Sequence, residues 1–78
     1  MITILLFANL REEVGSERLV IIEKREINVQ QLKKCLEDKY QLQMLNKVMV
    51  AINEEFVMDE DIVKAGDTVA FIPPVSGG

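Results

Sequence analysis

The stretch Pro73-Pro74-Val75-Ser76-Gly77-Gly78 combines residue types that suit one kind of chemistry. Two adjacent prolines favour an extended, semi-rigid course that projects the chain away from whatever precedes it. Two glycines, lacking Cβ atoms, can thread a passage too narrow for any other residue. The group delivered at the end of such an arm is a carboxylate, which is inert until it is activated, for example as an acyl-adenylate. Once activated it can take up sulfur and become a thiocarboxylate, or take up an amine and become an isopeptide. The competing explanation is a frayed polar terminus, with a terminal Gly-Gly arising by chance in roughly 0.5% of chains at ordinary glycine usage.

The side chains elsewhere offer little to a catalyst. Among the 78 residues there is no histidine, which removes the commonest acid–base group and zinc ligand. A single cysteine, Cys35, permits neither an internal disulfide nor a cysteine-ligated metal or iron–sulfur site. Its place beside an apolar helical stripe assigns it to the core or its margin. Asp59-Glu60-Asp61 resembles a cation site only superficially, because calcium loops need a longer ligand series and a placed glycine; it reads as a solvated acidic turn. The expectation is a protein with no catalytic side chain, no metal and no stably bound cofactor.

A net charge of −4 argues against nucleic acid, which demands clustered Lys and Arg. The apolar run Ile4 to Ala8 is far too short to span a bilayer, so no membrane partner is expected. The absence of a basic, cleavable leader points to the cytoplasm. A chain of this length makes one small domain that buries about 60 to 65% of its unfolded surface.

The elements that must hold the arm follow from the apolar pattern. Residues 2–8 form a strand, after which Asn9 can cap a helical turn with Glu12 at the reciprocal position and Gly15 ending it in a left-handed conformation. Arg18 to Lys24 reads as a second strand, paired with the first. Asn28 starts the main helix, with Gln31 completing a capping box and Ile27 stapling against Leu32. Val29, Leu32, Leu36 and Tyr40 form its apolar stripe. Val48 to Ile52, Glu55 to Val57 and Thr68 to Ile72 are further strands, with Asn53-Glu54 and Gly66-Asp67 as turns and Pro73-Pro74 as the stop. Placing the first and last strands side by side under one helix gives an α+β ubiquitin-like β-grasp, with a mixed sheet of about five strands. This element order also admits other α+β folds. Residues 1–72 are the domain and residues 73–78 the protruding tail.

Alternation along these strands has a consequence for binding. If Ile4 and Leu6 face the helix, Leu5 and Phe7 face away. Val50 and Ile52 inward put Met49 and Ala51 outward, and Val69 and Phe71 inward put Ala70 and Ile72 outward. An apolar patch beside the exit of the tail suits a protein partner.

The ending Gly66-Asp67-Thr68-Val69-Ala70-Phe71-Ile72-Pro73-Pro74-Val75-Ser76-Gly77-Gly78 resembles that of molybdopterin synthase small subunits. So does the opening Leu5-Leu6-Phe7-Ala8-Asn9-Leu10-Arg11-Glu12-Glu13-Val14-Gly15. Ser76 stands where that family often has threonine. The resemblance implies a sulfur carrier whose Gly78 is adenylated by a ubiquitin-activating-like enzyme using ATP. A sulfur donor protein then converts it to a thiocarboxylate, the covalent modification that stands in place of a cofactor. Pro73, Pro74, Val75, Ser76 and Gly77 would thread the active site of a large synthase subunit within a heterotetramer. Leu5, Phe7, Arg11, Met49, Ala51, Ala70 and Ile72 would form the partner interface. Sulfur would pass to cyclic pyranopterin monophosphate to make molybdopterin, so that the chain would count as the small, sulfurtransferring subunit of an enzyme. The alternatives are a ubiquitin-like modifier conjugated through Gly78, a sulfur carrier for another pathway such as thiamine synthesis, and a binding module with a dispensable tail.

Overall fold

The computed structural model describes residues 1–23, 25–42 and 45–74. In chain order the elements are β1 (Ile2–Leu6), α1 (Ala8–Val14), β2 (Arg18–Ile21), β3 (Ile27–Asn28), α2 (Val29–Tyr40), a 3-10 turn (Leu45–Lys47), β4 (Met49–Ile52), β5 (Glu55–Val57), β6 (Ile62–Val63) and β7 (Thr68–Ile72). Five strands make one sheet in the order β2-β1-β7-β4-β5, while β3 and β6 pair separately. β1 and β7 run parallel at its centre, with Ile4 opposite Val69 and Leu6 opposite Phe71. A parallel pair cannot be closed by a tight turn, so the chain between them, including α2, serves as the crossover. The β-grasp expected from the sequence is the fold observed.

Period-two burial is clean in both central strands. Ile2, Ile4 and Leu6 of β1 and Val69 and Phe71 of β7 are buried, and the residues between them are half-buried. α2 covers this inner face with Val29, Leu32 and Leu36, all fully buried, while Tyr40 packs at the margin. The helix begins as its sequence dictates. Asn28 Oδ1 accepts from the Gln31 backbone N–H at 2.7 Å, and Gln31 Oε1 accepts from the Asn28 backbone N–H at 2.9 Å. No helix among the described residues is long and apolar enough to cross a membrane.

Several local expectations need correction. β1 ends at Leu6 and β2 at Ile21, earlier than the apolar runs suggested. Asn9 does not cap α1; the chain turns sooner, Phe7 occupies the cap position without a side-chain bond, and Ala8 takes φ +52°. Gly15 does end α1 in the left-handed region, at φ +83°, donating its N–H to the Arg11 carbonyl. Cys35 is exposed rather than near the core. It sits well round the helix from the stripe centred on Leu36, and Lys33 occupies the inward position instead.

The acidic turn is solvent-exposed as expected, but it also has a structural partner in Lys33. Its ammonium, almost enclosed, meets Asp59 Oδ1 at 2.9 Å. Asp61 Oδ2 accepts from the Met58 N–H, and the carbonyls of Asp59 and Asp61 accept from the Gln30 and Val29 N–H groups. Asp59 and Asp61 thus take part in a latch that satisfies the first orphan donors of α2, while Glu60 and Asp61 remain exposed to solvent and Asp59 half-exposed.

Asn53 and Glu54 both have positive φ, +51° and +73°, the signature of a tight hairpin turn between β4 and β5. Asn53 also ties that turn to the centre of the sheet. Its Oδ1 accepts from the Thr68 N–H at 3.0 Å and its Nδ2 donates to Asp67 Oδ1 at 3.1 Å.

Two stability predictions follow from this packing. Leu6→Ala should cost about 2–5 kcal/mol in urea unfolding, as core truncations do, whereas Phe7→Ala should change stability by less than about 1 kcal/mol. Asn53→Ala should cost about 1–2 kcal/mol through its lost hydrogen bonds, measured in the same experiment.

Candidate functional site: the outer sheet face at the root of the tail

Cross-strand partners share a face of the sheet, and register places a row across all five strands: Arg18, Leu5, Ala70, Ala51 and Phe56. Beyond it, towards the end of β7, Met49 lies opposite Ile72, and Phe7 follows Leu6 on the neighbouring strand. On the other side Val20, Thr3 and Thr68 make a more polar row. The outer face therefore becomes more apolar towards Ile72, the last residue before Pro73-Pro74.

Each expected interface residue lies on this face or beside it. Phe7 is 46% and Met49 52% exposed, and Leu5, Ala70 and Ile72 are half-buried. Ala51 is only 7% exposed because its small side chain lies low between Ala70 and Phe56, yet it lines the same hollow. That hollow has a volume of about 560 Å³ and includes Leu5, Phe7, Ala70, Ile72 and Phe56. Arg11 lies in an adjoining depression with Phe7, Glu17 and Arg18.

Phe56 was missed in the sequence, although it is 66% exposed and walls the hollow. Its signal was present. A two-residue turn at Asn53-Glu54 pairs Ile52 with Glu55 and so Ala51 with Phe56. The rim is charged, with Arg11, Arg18 and Glu17 on the β1–β2 side and Glu54 on the β4–β5 side.

Pro73 is half-buried and Pro74 exposed; Val75, Ser76, Gly77 and Gly78 lie outside the described residues. Among the described residues no three His, Cys, Asp or Glu side chains gather to hold a metal ion. The side chains of the outer face are suited to recognition: apolar area in the middle and charged residues at the edges.

Comparison with known proteins agrees with this architecture. The ThiS family model matches residues 4–78. The chain is 35% identical to the molybdopterin synthase sulfur carrier subunit of Haemophilus influenzae, over the full length of both. The solution structure of small archaeal modifier protein 1 from Methanosarcina acetivorans superposes with a TM-score of 0.77 at 26% identity, covering 99% of this chain and 95% of that one. A chain from the complex of subunits 1 and 2 of the molybdopterin-converting factor of Helicobacter pylori gives 0.68 at 20% identity, covering 99% and 97%. Kinship along the whole chain, the β-grasp sheet and the Pro-Pro-Val-Ser-Gly-Gly ending together place the chain in the ThiS family, among the relatives of molybdopterin synthase sulfur carrier subunits.

Proposed function

We propose that the chain is the sulfur-carrying small subunit of a molybdopterin synthase, working in the cytoplasm with Gly78 as its reactive end. The observation that carries this reading is the continuity between the apolar end of the outer face, at Phe7, Ile72 and Met49, and the Pro73-Pro74 arm that leaves it. Residues 1–72 are the grip and residues 73–78 the arm.

The chemistry divides between two partners. On an activating enzyme the Gly78 carboxylate attacks the α-phosphorus of ATP, releasing pyrophosphate and leaving an acyl-adenylate. Sulfide sulfur supplied by a donor protein then displaces AMP and leaves a thiocarboxylate. The loaded carrier docks on a large synthase subunit through Leu5, Phe7, Met49, Ala51, Ala70 and Ile72, with exposed Arg11 at the edge. Val75, Ser76 and Gly77 thread the passage to that subunit's active site. There the thiocarboxylate sulfur bonds to cyclic pyranopterin monophosphate, and water hydrolyses the resulting thioester, breaking the acyl C–S bond and returning Gly78 to a carboxylate, so that two loaded carriers complete one dithiolene. The chain itself needs no stably bound cofactor, ATP being consumed on the activating enzyme. The assembly in this reading is a heterotetramer of two large subunits with a carrier at each end.

A second reading is favoured by the likeness to small archaeal modifier protein 1. In it the same adenylated Gly78 is captured by a lysine amine and forms an isopeptide. The two readings share activation and part at the acceptor, so product analysis separates them.

Adding one residue after Gly78 should leave the melting temperature unchanged. It should lower sulfur transfer in a reconstituted synthase assay by about a hundredfold or more, because a misplaced reacting group loses its alignment. Gly77→Val should give the same pattern by blocking the passage with a Cβ. Full turnover by either variant would contradict the proposal.

A further inference from the structure

The sheet has two free edges, β2 and β5, and they differ in charge. Glu55 lies on β5, and Glu54, Asp59 and Glu60 flank it, an acidic border that repels a second copy of itself. Around β2 the charges balance: Glu17, Glu23 and Glu26 stand against Arg18, Lys24 and Arg25. The exposed side chains of this edge are apolar. Val20 is 52% and Ile22 77% exposed, and Met1, one step beyond the Ile2–Ile21 pair, is 67% exposed.

One bond sets the hydrogen-bond phase of β2. The Leu6 N–H donates to the Glu17 carbonyl at 3.0 Å, which makes Leu6 and Glu17 a bonded pair. Bonded and non-bonded pairs alternate along an antiparallel ladder. Ile4–Leu19 and Ile2–Ile21 are therefore bonded too, and Glu17, Leu19 and Ile21 turn their backbone groups towards β1. Arg18, Val20 and Ile22 turn theirs outward. Ser16 agrees with this phase, because its hydroxyl holds both the N–H and the carbonyl of Arg18. Among the described residues no side chain does the same for Val20 or Ile22, and these are the open groups of the edge.

Two open residues spaced by two are self-complementary about a twofold axis. We infer that a second copy of this chain pairs along β2, antiparallel, with Val20 of each copy opposite Ile22 of the other and the axis passing between the two Ile21 residues. The residues of each Val20–Ile22 pair then exchange both of their hydrogen bonds. Neighbouring registers waste an open residue. Val20 opposite its own copy sets Ile22 against Arg18, which Ser16 already holds, and Ile22 opposite its own copy sets Val20 against residue 24, past the end of the strand. The two sheets become one, with Val20, Ile22 and Met1 of both copies gathered near the axis. The hollow between Leu5 and Phe56 stays open, so this surface is distinct from the proposed docking face.

So short a ladder buries well under the ~1,200 Å² of a standard interface, and the dimer is transient, half-formed at roughly millimolar chain. The test is dilution of the full chain from roughly 2 mM to 20 µM, across that midpoint. It is followed by sedimentation and by amide resonances, with reductant present so that exposed Cys35 forms no disulfide dimer. Shifts with concentration should centre on residues 19–23. A mixed-label sample should show a short Hα–Hα contact between Ile21 residues of the two copies, the mark of a non-bonded antiparallel pair. Val20→Pro removes an N–H that β1 does not use, a change tolerated on an outward edge. Ile22→Lys places charge beside the axis and leaves the backbone alone. Each should weaken association about tenfold or more, with a melting temperature close to that of the parent, and Ile22→Lys decides alone if Val20→Pro fails to fold. A chain that stays monomeric at the highest concentration overturns the inference, as does association that both variants leave intact. So do shifts centred on Phe7, Met49 and Phe56, or an Hα contact in another register. None of these outcomes decides whether the outer face docks a large subunit.

Discussion

Everything on the outer face follows from β1 lying parallel to β7. Because the pairing sets Ile4 against Val69 and Leu6 against Phe71, the inward residues of both strands meet under α2. The same register sets Leu5 against Ala70 on the other side. A slip of one residue would send the core outward and bury Leu5 and Ala70, so the core and the outer face are fixed by a single registration. The pairing also brings the first strand beside the last. Phe7, early in the chain, thereby stands next to Ile72, from which the tail departs.

Around that centre the domain relies on a few polar ties. A chain this small has limited apolar area to bury, and its sheet edges and helix start are held by specific bonds. The Asn28–Gln31 capping box and the loop carrying Asp59 and Asp61 together occupy donors at the start of α2. Lys33 reaches Asp59 across the same junction. Asn53 fastens the β4–β5 hairpin to the first residue of β7. At the β2 edge, the Ser16 hydroxyl donates to the Arg18 carbonyl and accepts from its N–H, which occupies backbone groups that would otherwise invite pairing.

The strands and the main helix were legible in the sequence because each rests on a local period reinforced by a cap or a turn. Ile2-Thr3-Ile4-Leu5-Leu6 and Thr68-Val69-Ala70-Phe71-Ile72 alternate, and Asn28 with Gln31 announces the start of α2. The outer face followed from the same alternation. What escaped depended on contacts between distant segments. Nothing local in Lys33 says that Asp59, twenty-six residues on, will accept its charge and draw it inward. The two-residue strands β3 and β6 owe their existence to each other rather than to their own composition. Cys35 went wrong for a different reason, since adjacency to a stripe in sequence is a large rotation on a helix. Asn9 was displaced because the chain turned at Ala8, where φ is positive without a glycine to signal it. Phe56 required the hairpin register to be carried one strand further. The chemistry of the ending was readable only as residue types, and its meaning came from the family to which the whole chain belongs.

The central claim is that the terminal carboxyl of Gly78 carries sulfur. It is tested most directly by the intact mass of the chain purified from cells without thiol exchange, followed by fragmentation to locate any change. The account requires a species in which one oxygen is replaced by sulfur, confined to the C-terminal peptide and absent from cells lacking the activating enzyme. Sulfur added at Cys35 instead, or an unaltered terminus in cells actively making the pterin cofactor, would contradict it.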